Sequence, residues 1–375
     1  MANETKNEIK VGVLGVFRGM SFVANAALSG MKLVALCDNQ EDKLHAAKVG
    51  GNVARYTCYD EFLTHDMDAV ILANYFHEHA PFALKAFKAG KHVMSECICN
   101  FTIAEGIELC KAVEDTGLIY MLAENYPYTR FNQELRRLYQ TGELGKVTYA
   151  EGEYNHPLSP EEWKYYTPTP DHWRAWLPRG YYVTHALAPL MYITELMPKS
   201  VVGLSVEATE GGFASLVQME EGAVFRLIGG GMPGHSNFYR IHGTRGAAEI
   251  TRGPGYFGPE QIRVWHDPWD VPENTPQERV YDPTWPHNAE LAEKAGHGGG
   301  DFWVDYYFAE AIRTNTQPFL DVYRGVAMSS VGILMNRSMK AGGAPFEVPD
   351  FRDKMARKRF ENDIARLGPG ENNMS

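Results

Sequence analysis

The apolar run Lys10–Leu14 ends in a glycine turn, Gly15-Val-Phe-Arg-Gly19, and an amphipathic stretch, Ser21–Leu28, follows. A strand, a tight turn and a helix in that order can hold an anion. Backbone N–H groups and the helix dipole favour a pyrophosphate at the helix start, and glycine lets the backbone come close to it. The next apolar run, Lys32–Cys37, ends in Asp38, at the distance where a carboxylate takes the hydroxyls of an adenosine ribose. That carboxylate would repel a 2′-phosphate, so the two features together point to NAD rather than NADP. The turn is not a full G-x-G-x-x-G. Phe17 stands at the middle glycine, and Met20, beside Gly19, at the last.

Groups suited to acid–base work lie downstream. Glu151 and Glu153 fall on one face of a predicted strand, because side chains alternate along it, and His156 follows. His185 comes after two tyrosines in Tyr181-Tyr182-Val-Thr-His185. Asp171-His172-Trp173-Arg174 sits in a loop rich in Pro and Tyr, a composition suited to gripping a sugar. His297-Gly-Gly-Gly-Asp301 opens a predicted helix, with glycines that permit close backbone approach. Histidine suits removal of a hydroxyl proton because its unperturbed pKa lies near neutrality. Position alone reads a single histidine among apolar residues as packed core, and Asp301 as an N-cap. His156, His185 and His297 can be read as a metal set, but no tight ligand spacing supports it, and no metal is expected. Cys97-x-Cys99 likewise lacks a second pair.

The elements that must position these groups follow from the pattern. Strands at Ala69–Leu72, His92–Ser95 and Ile119–Leu122 alternate with helices at His79–Ala89 and Ile103–Thr116. Such alternation predicts a parallel sheet covered on both faces. Further on, strands are predicted at Val147–Asn155, Val201–Glu207, Ser215–Met219, Ala223–Ile228, Tyr239–His242, Ala247–Ile250 and Ile262–Trp265, and helices at Phe302–Arg313 and Val322–Met339. Glu220-Glu-Gly222 and Thr244-Arg-Gly246 are hairpin signals, which implies antiparallel pairing.

Composition bounds the partners. The 375 residues, 44% hydrophobic, exceed one typical domain. A net charge of −11 without a basic run speaks against nucleic acid. Tyr181–Met197, the most apolar stretch, is broken by His185, Pro189 and Glu195, so no membrane span is expected. The five cysteines show no framework spacing, and Met1–Lys10 lacks an apolar signal core. Both predict a reduced, cytoplasmic protein.

Several segments carry a family resemblance. Lys85-Ala-Phe-Lys-Ala-Gly-Lys-His-Val-Met-Ser-Glu96 resembles a signature of the Gfo/Idh/MocA sugar and polyol oxidoreductases. So do Ala69-Val-Ile-Leu-Ala-Asn74 with His79-Ala-Pro, Arg130-Phe131, Gly142-Glu-Leu-Gly-Lys-Val147, and the closing Gly342-x-x-Pro345-x-x-Val348-Pro349. The resemblance implies an α/β protein with an N-terminal Rossmann domain and a C-terminal α/β domain on a large, mostly antiparallel open sheet. The expected division is 1–125, 126–349, and a tail 350–375 that forms a peripheral helix or is partly disordered. It implies NAD held by Gly15, Phe17, Arg18, Gly19, Asp38, Asn74, His79, Glu96, Cys97 and Asn125. It also implies a homo-oligomer that covers the open sheet face.

The chain departs from that family where it matters. Most members follow the glutamate at position 96 with lysine and proline, and the lysine helps polarise the reacting hydroxyl. This chain has Glu96-Cys97-Ile98. A second motif, Asp then Gly then His, survives only in His185, with Tyr181 and Val183 at the other two positions. The resemblance makes His185 the catalytic base, with Tyr181 and Glu153 as catalytic partners. His156, Trp173, Tyr182, His297 and Asp301 are expected to bind substrate. The expected reaction oxidises a ring hydroxyl of a sugar or glycoside, at C3, to a ketone, with hydride transfer from the carbinol carbon to nicotinamide. A partner lyase can then act on the keto-sugar. The alternatives are a glycosidase that retains its NAD through oxidation and elimination, and a sensor without catalysis.

Overall fold

The computed structural model describes residues 8–209, 211–251 and 261–366. In the first stretch, apolar runs become strands and amphipathic stretches become helices. They are β1 (Ile9–Leu14), α1 (Gly19–Ala26), β2 (Met31–Cys37), α2 (Glu41–Ala46), β3 (Ala54–Tyr56), α3 (Tyr59–Phe62), β4 (Ala69–Leu72), α4 (His79–Lys88), β5 (His92–Ser95), α5 (Ile103–Thr116) and β6 (Tyr120–Leu122). Then come α6 (Arg130–Gln140), β7 (Val147–Asn155), α7 (Pro160–Tyr166), α8 (Trp173–Trp176), α9 (Thr184–Thr194), β8 (Pro198–Val206), β9 (Gly212–Met219), β10 (Val224–Gly230), β11 (Ser236–Gly243), β12 (Ala247–Ile250), β13 (Ile262–Trp265) and β14 (Glu278–Tyr281). The chain closes with α10 (Ala289–Ala292), α11 (Gly300–Thr314), α12 (Val322–Lys340), β15 (Phe346–Glu347) and α13 (Lys354–Lys358).

These elements form two compact units. The first takes the described residues of Met1–Asn125, Glu290–Val326 and Phe351–Ile364, and the second those of Tyr126–Ala289, Ala327–Asp350 and Ala365–Ser375. Three consecutive spans therefore do not describe how the chain is used, because it returns twice to the first unit. The returning segments are bonded in. Arg313 donates to the Ser29 carbonyl at 2.7 Å, Leu122 N–H donates to the Leu320 carbonyl at 2.9 Å, and buried Arg357 pairs with Glu114 at 2.7 Å. The expected peripheral tail is thus the docked helix α13, and residues 367–375 of that expectation lie outside the described residues.

In the first unit the sheet order is β3-β2-β1-β4-β5-β6, and every pair is parallel. Both faces are covered, which is why β4 reads as an unbroken apolar run and is buried throughout. The order reverses between β1 and β4. Ligands of open parallel sheets bind outside the carboxyl ends of the strands at such a switch point.

In the second unit the order is β14-β13-β12-β11-β7-β10-β9-β8-β15, antiparallel except for β7 with β10. Both predicted hairpins are present, at residues 220–222 and 244–246. One face packs on α9. A Cβ at Gly152 would lie 2.2 Å from the Ala186 carbonyl, so only glycine lets β7 and α9 meet this closely. The other face carries a row across the strands: Val202, Leu216, Arg226, Glu151, Arg240, Glu249, Arg263 and Val280 are register neighbours in turn. Opposite charges alternate along its middle, the favourable arrangement for directly opposed residues. Leu204 and Leu216 stay exposed on this face.

Candidate active-site groups

The nucleotide turn is assembled from β1, α1 and the end of β2. Gly15 has φ of +92°, and a Cβ there would lie 2.3 Å from the Ala73 carbonyl, so the turn needs glycine on both counts. Its N–H donates to the Cys37 carbonyl at 2.8 Å. The Asp38 carboxylate accepts from Val16 N–H and Gln40 N–H, each at 2.9 Å, one bond per oxygen. An ionised carboxylate has about four acceptor sites, which leaves capacity for ribose hydroxyls. Phe17 is 55% exposed, so its ring points out of the turn rather than filling it. Burial pushes the Glu78 carboxyl up, and a hydrogen bond with the side chain of Asn74, just past β4, acts against it. These features fit a dinucleotide.

Arg18 follows that turn, and its charge is already engaged. Its Nε donates to Glu96 at 2.5 Å, and its two terminal nitrogens donate to Asp301 at 3.2 and 3.0 Å. Asp301 also accepts from Asn125 Nδ2 at 2.8 Å and lies 2.9 Å from His297 Nδ1. Burial pulls the Arg18 guanidinium down, but Glu96 and Asp301 outweigh it and hold the group above its ordinary value. Burial pushes Asp301 up, but the His297 hydrogen bond and Arg18 outweigh it and keep its carboxyl far below the usual range. Asp301 is therefore neither an open sugar ligand nor the N-cap of α11, a position taken by Gly299. It ties the turn, Asn125 and His297 together within the first unit.

Glu96 also accepts from the Cys97 N–H at 3.1 Å, and the Cys97 thiol lies 3.1 Å from a Glu124 oxygen. His79 is buried beside the Ile98 carbonyl, at 2.8 Å, and burial lowers its pKa, so it stays neutral. Buried Glu124 went unnoticed in the sequence, where nothing but its place after β6 marks it.

In the second unit, His185 sits in the first turn of α9, half-buried. Its ring is 4.4 Å from Tyr154, 4.8 Å from Tyr126 and 5.6 Å from Tyr182, between centroids. Tyr182 belongs to the tight turn Arg179–Val183 that leads into α9, where residues three apart share a face. Pro189 lies inside α9 and has no N–H for the carbonyl four residues back, which is that of His185. The Tyr239 hydroxyl takes its place, donating to the His185 carbonyl at 2.7 Å. Thus β11 fixes the backbone that carries the imidazole.

Two expected partners are placed elsewhere. Glu153 lies on the opposite sheet face from Tyr154, because successive residues alternate. It faces Arg226 at 3.5 Å and Ser236 at 3.3 Å, not α9. Tyr181 is 2% exposed, its Cα against Gly332 of α12, and burial pushes its phenol well above the ordinary value. A phenol so raised is a poor proton donor or acceptor at neutral pH.

The remaining groups cluster around the ring site. His156 is 5.9 Å from Tyr154 and 4.2 Å from His235, which the sequence gave no reason to single out. Burial lowers both histidines, His235 to about 4. Trp173 is buried beneath Arg174.

Comparison with known proteins agrees with both halves. Residues 9–124 match the oxidoreductase family GFO_IDH_MocA, NAD-binding Rossmann fold, and residues 232–357 match the glycosyl hydrolase 109 C-terminal domain. A glycosyl hydrolase family 109 protein of Solibacter usitatus is 27% identical, over 92% of this chain and 88% of the relative. Another, from Phocaeicola vulgatus, is also 27% identical, over 92% and 84%. Levoglucosan dehydrogenase, solved with NADH and L-sorbose, shares the fold, with a TM-score of 0.74 at 18% identity over 92% of this chain and all of that one. By these matches the chain is similar to the Gfo/Idh/MocA oxidoreductases in its NAD-binding Rossmann part and to glycosyl hydrolase family 109 proteins in its C-terminal part.

Proposed function

We propose that this protein oxidises a ring hydroxyl of a sugar or glycoside, at C3 of a hexose, to a ketone. The observation that supports this most directly is His185, a half-buried imidazole ringed by Tyr126, Tyr154 and Tyr182 on a backbone fixed by Tyr239. When bound, NAD supplies the acceptor for the hydride that leaves the carbinol carbon. Gly15, Asp38 and Asn74 hold it in this reading, while Arg18, Glu96, Asn125 and Asp301 keep the turn in shape. Cys97 brings no fixed positive charge, so removal of the hydroxyl proton falls to His185. Tyr182, on the same face of the turn, orients that hydroxyl. The tyrosine rings offer flat faces to the sugar and exclude water around the proton transfer.

A second reading carries the same step further, and the match of residues 232–357 to the glycosyl hydrolase 109 domain favours it. A C3 ketone acidifies C2, the aglycone leaves C1 by elimination, water adds, and the ketone is reduced again. The two readings part at the product. Incubation of the purified protein with a glycoside panel, followed by mass spectrometry and absorbance at the NADH band, decides between them. A keto-sugar with one NADH per turnover supports net oxidation, and a free sugar with none supports the closed cycle. If every glycoside is left unchanged, both fail.

Self-association over the sheet face that exposes Leu204 and Leu216 belongs to this reading, as does a cytoplasmic location. Among the described residues, no helix is long and apolar enough to cross a membrane.

A further inference from the structure

The aromatic segment ahead of His185 holds a cation whose charge no carboxylate among the described residues answers. Arg174, half-buried in α8, has its Cζ 4.5 Å from the ring centroid of Trp173, 5.4 Å from that of Tyr166 and 5.7 Å from that of Tyr182. Rings hold a guanidinium by its faces and fix its plane, but they leave its five in-plane N–H donors for other acceptors. Among the described residues, no carboxylate pairs with Arg174. Its hydrogen bond runs from the backbone N–H, to His172 Nδ1 at 3.3 Å. Several other half-buried arginines find acids, Arg18 and Arg136 at 2.5 Å, Arg240 at 2.5 Å and Arg263 at 3.0 Å, whereas Arg55 spends its donors on the carbonyls of Leu44 and Ala47. With 47 acidic residues against 36 basic ones, partners are plentiful, so a guanidinium left without one beside a candidate active site invites an acid from outside. Tyr182, one wall of its cradle, also stands 5.6 Å from the His185 ring. The cation is thus a single aromatic ring away from the group read as the proton acceptor.

We propose that Arg174 determines specificity for an acidic glycoside, one that carries a carboxylate about a sugar ring's span from the oxidised carbon. The proposal rests on the reading of His185 as the reacting end. A planar carboxylate takes two parallel N–H bonds from a guanidinium, a geometry that a neutral hydroxymethyl group does not reproduce. The carboxylate belongs either to C6 of a hexuronic acid or to an acid group on the aglycone. The same donors serve both.

The test is a matched panel titrated calorimetrically into the NAD-loaded protein. It pairs glucose with glucuronate, galactose with galacturonate and mannose with mannuronate, and 4-nitrophenyl with 4-carboxyphenyl glycosides in both anomers. The acidic member of at least one pair is expected to bind about tenfold tighter than its neutral partner, as a charge-assisted bidentate pair should. That ratio should collapse in R174Q, persist in part in R174K, and shrink as salt screens the charge. Whether hexuronates or carboxyphenyl glycosides show the gain locates the carboxylate. The proposal is overturned if no acid exceeds its neutral partner by about threefold, less than one such contact should give, or if R174Q keeps the preference. Turnover is scored apart. A preference that depends on Arg174, with no glycoside of the panel processed, sinks the catalytic reading and leaves the anion subsite standing. Turnover of neutral sugars without any acid preference does the reverse.

Discussion

The turn at Arg18 and the ring cluster at His185 are held by different forces. At Arg18 the holding groups are charged. One guanidinium is shared by Glu96 and Asp301, and Asp301 in turn takes Asn125 and His297. At His185 the rings of Tyr126, Tyr154 and Tyr182 stand close, and its carbonyl accepts from the Tyr239 hydroxyl. A charged clamp fixes position at the cost of desolvation, and it suits a part of the molecule that holds the same ligand every time. Rings offer flat, weakly directional faces, which tolerate sugars that differ in detail. Under the proposed function the contrast is one of job: holding in the first case, reacting in the second.

Five changes would break or sharpen that contrast. The largest effect is expected for H185A, a loss of about 10²–10⁴-fold in kcat/KM with an unchanged melting curve, the usual weight of a positioned acid–base group. Retained turnover would remove His185 from the chemistry. Next, D301A strips Arg18 of one acid. Breaking a buried pair costs about 3–5 kcal/mol, and since Arg18 keeps Glu96 and is a quarter exposed, about 2–3 kcal/mol is expected by urea unfolding, with weaker NAD binding. Third, Y239F leaves the His185 carbonyl without its donor. A cost of about 1–2 kcal/mol is expected, together with a fall in kcat larger than any change in KM, because the imidazole loses its anchor.

The fourth is a pH effect in the ring region. Burial, with His156 beside it, holds His235 down to about 4, against an unfolded histidine near 6.5. Between those values the unfolded chain binds the extra proton, so stability should fall as pH drops below about 6.5 and level off under about 4. H235Q should flatten that part of a Tm-against-pH curve, and an identical slope would refute the assignment. The smallest effect is expected for E153Q, within about twofold in kcat/KM, since Glu153 faces Arg226 and Ser236 on the sheet face away from α9 and the amide keeps its shape. A large loss would mean that the face opposite α9 takes part in the reaction.

Much of this was legible in the residues. The strands of the first sheet are apolar runs that stop at Gly15, Asp38 and Ser95, and their parallel pairing follows from the alternation with helices. Three strands, β3, β14 and β15, escaped because they are short or lie at sheet edges, where burial imposes no apolar pattern. Alternation placed Glu151 and Glu153 together correctly, but it does not say which face meets a helix. Gly152 between them does, since only a residue without a side chain admits α9 so closely. Tyr182 rather than Tyr181 follows from a three-residue spacing that a turn, not a strand, imposes. The link between Arg18 and Asp301 has no local signature, because it joins residues 283 positions apart.

That separation also sets a time. A ribosome adding about 5–20 residues per second makes Arg18 some tens of seconds before Asp301 exists. For that interval the turn has its glycines and its Asp38, but not its clamp. A chain that stops anywhere before α11 therefore carries the visible nucleotide motif and lacks the acid that holds Arg18 in place. The clamp on Arg18 therefore closes late in the life of each new molecule, with the return of the chain rather than with completion of the parallel sheet.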